Sequence, residues 1–106
     1  MIAHQKSSTA AAASLVVKAV PARVLKLIGY NAKVSAQFIQ LHDAAALPAD
    51  TAVPLAVITV AASSNFEIPV PPDGWECVTG VVVCNSSTYA TKTIGSADCF
   101  FTVQTT

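Results

Sequence analysis

Alternation is the dominant signal in this chain. In 65–70, NFEIPV, the apolar Phe66, Ile68 and Val70 fall on one side and Glu67 and Pro69 on the other. That period of two marks a half-buried β-strand. Pro69 has no N–H to give a neighbour, which predicts that this strand lies at a sheet edge. In 23–31, RVLKLIGYN, Leu25 and Leu27 share a face opposite Lys26; in 34–43, VSAQFIQLHD, Val34, Ala36 and Phe38 oppose Ile39 and Leu41. Segments 14–20 (SLVVKAV) and 98–106 (DCFFTVQTT) read as strands as well. The run 55–62, LAVITVAA, is apolar on both faces, which predicts a strand covered on both sides. Segment 75–85, WECVTGVVVCN, carries Gly80 at its middle, which predicts a bulge or a close backbone approach.

Turn chemistry separates these runs. Prolines and Asp50 mark 46–54 as a turn, PPDG marks 71–74, and 86–97 is a hydroxyl-rich loop. Seven strands and no amphipathic helix predict an all-β fold, a single-domain antiparallel β-sandwich over 14–106. A jelly roll and an immunoglobulin-like Greek key both fit. The cysteine–tryptophan–cysteine order of true immunoglobulin domains is absent, because Trp75 precedes all three cysteines. Residues 1–13, MIAHQKSSTAAAA, are small and polar without a periodic face. They predict a flexible, extended N-terminal arm that orders only against a neighbour.

Composition changes the picture in one respect. The 106 residues are 53% hydrophobic and 11% charged, against roughly a quarter charged in ordinary soluble domains. A folded chain of this size exposes roughly 5,600 Å², and so few charges leave that exterior unusually apolar. Apolar exteriors usually meet other molecules. The same poverty of charge, with six basic and six acidic residues, gives no concentrated basic face for nucleic acid. Four of the six basic residues (Lys18, Arg23, Lys26, Lys33) fall between 18 and 33 and five of the six acids lie from Asp50 onward, an asymmetry that either helps subunits or partners meet head to tail or merely scatters solubilising charge. Pro48, Asp50 and Pro54 interrupt the most apolar region, so no membrane span is expected there. The run after Lys6 resembles a signal peptide only briefly before Lys18 cuts it short.

Candidate chemistry is sparse. Cys77, Cys84 and Cys99 are odd in number and lie outside any zinc spacing, so they read as reduced structural thiols; Cys77 and Cys99 are the pair most open to cross-strand proximity. His42 and Asp43 are adjacent, but no nucleophile elbow or glycine-rich oxyanion loop accompanies them. They read as a strand end and a turn cap, and no enzyme activity, metal or cofactor is expected. Trp75, after PPDG, reads as a core or boundary residue; exposed, it would make a sugar-stacking platform. The stretch NSSTYATKT is either a self-satisfied surface loop or a polar contact rim anchored by Tyr89 and Lys92. The candidate protein-contact residues are Ile2, His4 and Lys6 in the arm, with Tyr89 and Lys92 in the loop.

The succession VLKLIGYNAKVSAQFIQLHDAAALPADTAVPLAVITVAASSNFEIP, followed by GVVVCNSSTYATKT, resembles small β-sandwich proteins from the structural gene blocks of tailed bacteriophages and prophages. The resemblance covers residues 24–104 and rests on a pattern of strands and turns. It implies a structural virion protein, of the capsid decoration (cement) type, on the outer capsid surface and assembled in the host cytoplasm. Its implied partner is the major capsid protein, and it implies a homo-oligomer, with a trimer on local three-fold axes as the expected form. A tail, baseplate or fibre module and a secreted carbohydrate-binding module are the alternatives.

Overall fold

In this computed structural model of the chain, residues 4–106 are described. All regular elements among them are strands: β1 (His4–Ser7), β2 (Ser14–Lys18), β3 (Ala22–Asn31), β4 (Gln37–His42), β5 (Ala56–Val60), β6 (Ser64–Ile68), β7 (Trp75–Cys77), β8 (Val81–Ser86) and β9 (Cys99–Thr105). They form two antiparallel sheets. One has the order β1-β9-β3-β6, with β7 also on β3; the other has the order β2-β8-β4-β5.

The order identifies the architecture. β6 pairs with Leu27–Asn31 of β3 and β7 with Ala22–Val24 on the same side, so the two are one strand broken by the Pro-rich excursion 69–74. With that strand counted once, the chain pairs first with last (β1 with β9), second with second-last (β2 with β8), third with β6–β7, and β4 with β5. A long antiparallel ribbon wrapped into two facing sheets gives this nesting, so the sandwich is a jelly roll.

Alternation explains what fills the space between the sheets. Val24, Leu27, Ile68, Phe101 and Val103 from one sheet meet Ile39, Leu41, Val60, Val81 and Val83 from the other, all buried. A bulge between Val24 and Lys26 inserts Leu25 as an extra residue. Val24 and Leu27 therefore both face inward, although a simple alternation had paired Leu25 with Leu27. The accessible surface, 5252 Å², is close to the roughly 5,600 Å² expected from size.

Several expectations are corrected. Residues 4–7 are not a loose arm: His4–Ser7 pair with Thr102–Thr105, and Ala12 bridges Cys99. The sequence LAVITVAA supplies an edge strand, β5, which is half-exposed and not covered on both sides. The doubly covered strand is β8, buried along its whole length. Strand β4 begins at Gln37, and Val34 stands out in the preceding loop at 90% exposure. Cys77 and Cys99 pair with opposite ends of β3, about 30 Å apart at strand rise. All three cysteines are free and buried. Burial pushes the Cys77 and Cys84 thiols up to about 11 and raises Cys99 too, so none is a ready thiolate.

Other expectations match the structure, the antiparallel β-sandwich first among them. β6, the strand that runs into Pro69, lies at an edge. At Gly80 a Cβ would lie 2.5 Å from the Ala44 carbonyl oxygen and 2.6 Å from that of Lys18. The 75–85 segment breaks there into β7 and β8, and the break is held from outside. Asp43 accepts the backbone N–H groups of Val78, Thr79 and Gly80 at 3.1, 2.8 and 3.3 Å. Burial alone would raise the Asp43 carboxyl, but those three donors hold it below the ordinary carboxylate range.

Candidate interaction face

The outward residues of the two sheets have opposite fates. On the β2-β8-β4-β5 sheet, Gln40, His42, Val82, Cys84 and Ser86 point away from the core, yet all are buried. Loop 87–95 folds over them. Gln40 Nε2 donates to the carbonyls of Thr88, Tyr89 and Thr91 at 3.1–3.2 Å. Ser86 Oγ receives the N–H groups of Thr88 and Thr93. The loop is pinned in turn by segment 43–55. Lys92 Nζ meets Asp50 Oδ1 at 2.6 Å, and the two backbones bond through Thr51 N to Lys92 O and Lys92 N to Ala52 O. Thr51 takes φ 79° there, a costly conformation for a β-branched residue, and its bonded amide helps to hold it.

Lys92 is therefore not a contact residue. It is 2% exposed and ties two loops of its own chain. The hydrogen bond from its ammonium, with the N–H of Ile94, keeps Asp50 ionised below the usual range. Under this cover His42 shares a hydrogen bond with Gln40 (3.0 Å). Burial first and the Lys92 charge second lower its pKa below 6.5. Folded, His42 therefore stays neutral to a lower pH than it does in the unfolded chain. Above about pH 6.5 this costs nothing; below it the unfolded chain takes up the proton first, and stability falls by up to about 1.4 kcal/mol per pH unit until the folded pKa is reached. Urea midpoints measured from pH 7.5 to 5 are expected to decline, and the decline should flatten in His42→Gln. An equally steep wild-type and variant profile would remove His42 as its cause.

Among the described residues nothing covers the outer face of the β1-β9-β3-β6 sheet in this way. Ile28 and Tyr30 on β3 and Phe100 on β9 form an apolar centre, with Tyr30 and Phe100 37% and 39% exposed. Register places Thr102 and Glu67 beside Ile28, and Phe100 and Asn65 beside Tyr30. Lys26, Gln104 and Gln5 continue the face toward the other end. The result is a shallow apolar patch with a mixed polar rim, the composition of a protein contact surface.

The other candidate residues divide. Tyr89 is half-exposed at the loop tip, edge-on to Phe38 with ring centroids 5.6 Å apart. His4 and Lys6 are exposed on β1, and Lys6 Nζ donates to the Val16 carbonyl at 2.8 Å. Ile2 lies outside the described residues. Trp75 packs against the core and gives its indole N–H to the Pro69 carbonyl. Asn85, the first residue of NSSTYATKT, is fully buried, in a polar cluster with Asn31, Gln37 and Cys99. The charge asymmetry of the sequence is partly met inside the molecule, since Arg23 pairs with Glu76 across β3 and β7 at 2.8 Å. The aromatic centre of the open face escaped sequence reasoning; Tyr30 and Phe100 sit opposite each other only once the register is known.

Comparison with protein-family models, curated proteins and solved structures gives no match.

Proposed function

We propose that this chain is a structural virion protein of a tailed bacteriophage, a capsid decoration protein that binds the outer shell through the open face of the β1-β9-β3-β6 sheet. One observation carries the reading: the chain covers the centre of one sheet's outer face, over β4 and β8, with its own loops, and among the described residues nothing covers the other face, which is apolar around Ile28, Tyr30 and Phe100. The jelly roll agrees with it, as a fold that viral capsid domains use among many others. The sequence resemblance to phage structural proteins supplies the partner, the major capsid protein.

Magnitude limits how such a contact works. A patch four strands wide and about six residues long covers roughly 400 Å², half of the usual ~800 Å² per partner. With about half of the area on each side apolar, roughly 25 cal/mol per Å² gives a gross gain of about 10 kcal/mol over both partners, and association costs consume much of it. Retention then depends on the open face straddling two shell subunits at once. The decoration stabilises the shell because the area it buries exists only when neighbouring capsid subunits are in place.

Phe100→Asp and Tyr30→Asp place a charge at the centre of the patch without touching the core. Cosedimentation with particles that lack the protein is expected to weaken tenfold or more, with the melting temperature unchanged. Undiminished binding by both variants would remove this face from the contact. Labelling of intact particles under the electron microscope separates shell from tail; label confined to tails would replace the decoration role with that of a tail or fibre module.

A further inference from the structure

A jelly roll leaves four strands with one unpaired edge each, and here they are β1, β2, β5 and β6–β7. Open edges invite another chain, and proteins guard them with charge, proline, bulges or inward-pointing lysine. Three of the four carry such guards. The β6–β7 edge has Glu67, Glu76 and the proline-broken excursion at 69–74. β2 has a bulge between Val16 and Lys18, and the Lys6 ammonium occupies its Val16 carbonyl. β1 is short, polar and fully exposed, and its Lys6, opposite the buried Val103, points toward the facing sheet.

β5 carries none of these guards. Ala56–Val60 reads AVITV, without charge, proline or glycine, and its ladder with β4 runs five residues without a register shift. Among the described residues no backbone hydrogen bond reaches its outer edge from outside the sheet. Beside it the core is incompletely closed: Ala56 and Ile58 face inward but are only partly buried. Leu55, just before the strand, is 40% exposed.

We propose that β5 is a self-pairing edge whose occupant is β5 of a second copy, antiparallel about a two-fold axis at Ile58. Strand addition takes its affinity from backbone hydrogen bonds and its specificity from side-chain fit, and this segment fits itself. Ile58 meets Ile58, Val57 meets Thr59 and Ala56 meets Val60, so no like charges oppose and β-branched pairs form on both faces. Leu55 falls against Ala61 of the other copy. The two four-stranded sheets become one of eight strands, and the partly open core at this side is closed. The contact is isologous, distinct from a three-fold grouping. It stands whether or not the β1-β9-β3-β6 face meets a shell.

The test is sedimentation equilibrium of the whole chain from about 10 µM to about 1 mM, the range in which a small interface associates. The wild-type mass is expected to rise from 10.9 kDa toward twice that value. Thr59→Lys, at an exposed outward position, is expected to stay monomeric throughout while melting like the wild type at the low concentration. Hydrogen exchange on the wild type alone gives an independent readout: amides in 56–60 are expected to slow at high concentration more than those of β1 or β6. A wild-type chain that stays monomeric, an association untouched by Thr59→Lys in a folded variant, or no concentration-dependent protection in 56–60 would each overturn the proposal. None of these results bears on capsid binding by Phe100→Asp.

Discussion

Replacing Gly29 with alanine is expected to lower the melting temperature by about 10 to 15 °C. Gly29 faces the core from the middle of β3, between Phe66 on one neighbouring strand and Phe101 on the other. The two rings close over it at 63°, with centroids 6.1 Å apart. A Cβ at Gly29 would meet the Phe66 ring and the Phe100 carbonyl oxygen well inside van der Waals contact. A side chain can rotate away; the carbonyl belongs to the β3–β9 ladder and can move only if the ladder opens. Overpacking of this kind costs about 1–3 kcal/mol, and the fixed backbone puts Gly29→Ala at the upper end. Differential scanning calorimetry of the variant decides it. A melting temperature within about 2 °C of wild type would mean that the sheet yields more easily than its packing implies.

Removal of residues 1–13 is expected to do more than detach an arm. The backbone of residues 4–13 is part of the fold. Ser8 N–H donates to Phe101 O, Ala12 and Cys99 exchange both backbone bonds, Asn85 N–H donates to Ala13 O, and Ser8 Oγ accepts from Phe101 N–H. At about 1 kcal/mol each these five bonds are worth about 5 kcal/mol, before the β1 ladder is counted. A domain whose whole stability is about 5–15 kcal/mol cannot lose that and stay well folded. The cut also turns β9, CFFTVQT, into a long apolar edge in place of the polar HQKS, and such an edge aggregates. The truncated chain should be largely insoluble, or melt far below the full chain. If it melts like the full chain and remains monomeric, β1 contributes nothing to the fold, and the segment acts only in contacts with partners.

How far the sequence could be read follows from where each strand sits. β6 and β9 alternate cleanly because one face of each meets the core and the other meets water or a rim. β1 was invisible for the opposite reason. An outer strand whose residues are all exposed has no apolar face to reveal it. β5 misled because Val57 and Thr59 face outward without a cover, and β-branched residues suit a strand whether or not anything lies over it. Lys92 misled because a lysine among hydroxyl residues normally stays solvated. It is buried by an aspartate 42 positions upstream, Asp50, and that proximity exists only after β4 and β8 have paired. Asp43 as a cap and Gly80 as a close approach were legible from residue type alone, but that Asp43 caps the 78–80 backbone depends on the same β4–β8 pairing. The open aromatic face depends on the β3–β9 register, a long-range property that local pattern does not carry.

The nesting of the strands also dictates an order of assembly. β8 lies between β2 and β4, and β9 lies between β1 and β3. Until these last two strands are synthesised, only β4 with β5 and β3 with β6–β7 can pair, and β1 and β2 have no neighbour at all. The nascent chain therefore waits on the ribosome as two disconnected strand pairs and two idle segments. Its final quarter then wedges into both sheets together. Closing contacts as distant as His4 with Thr105 places refolding in the slow, millisecond-to-second regime of non-local β topologies. Early termination in this last quarter would leave no intermediate fold to fall back on.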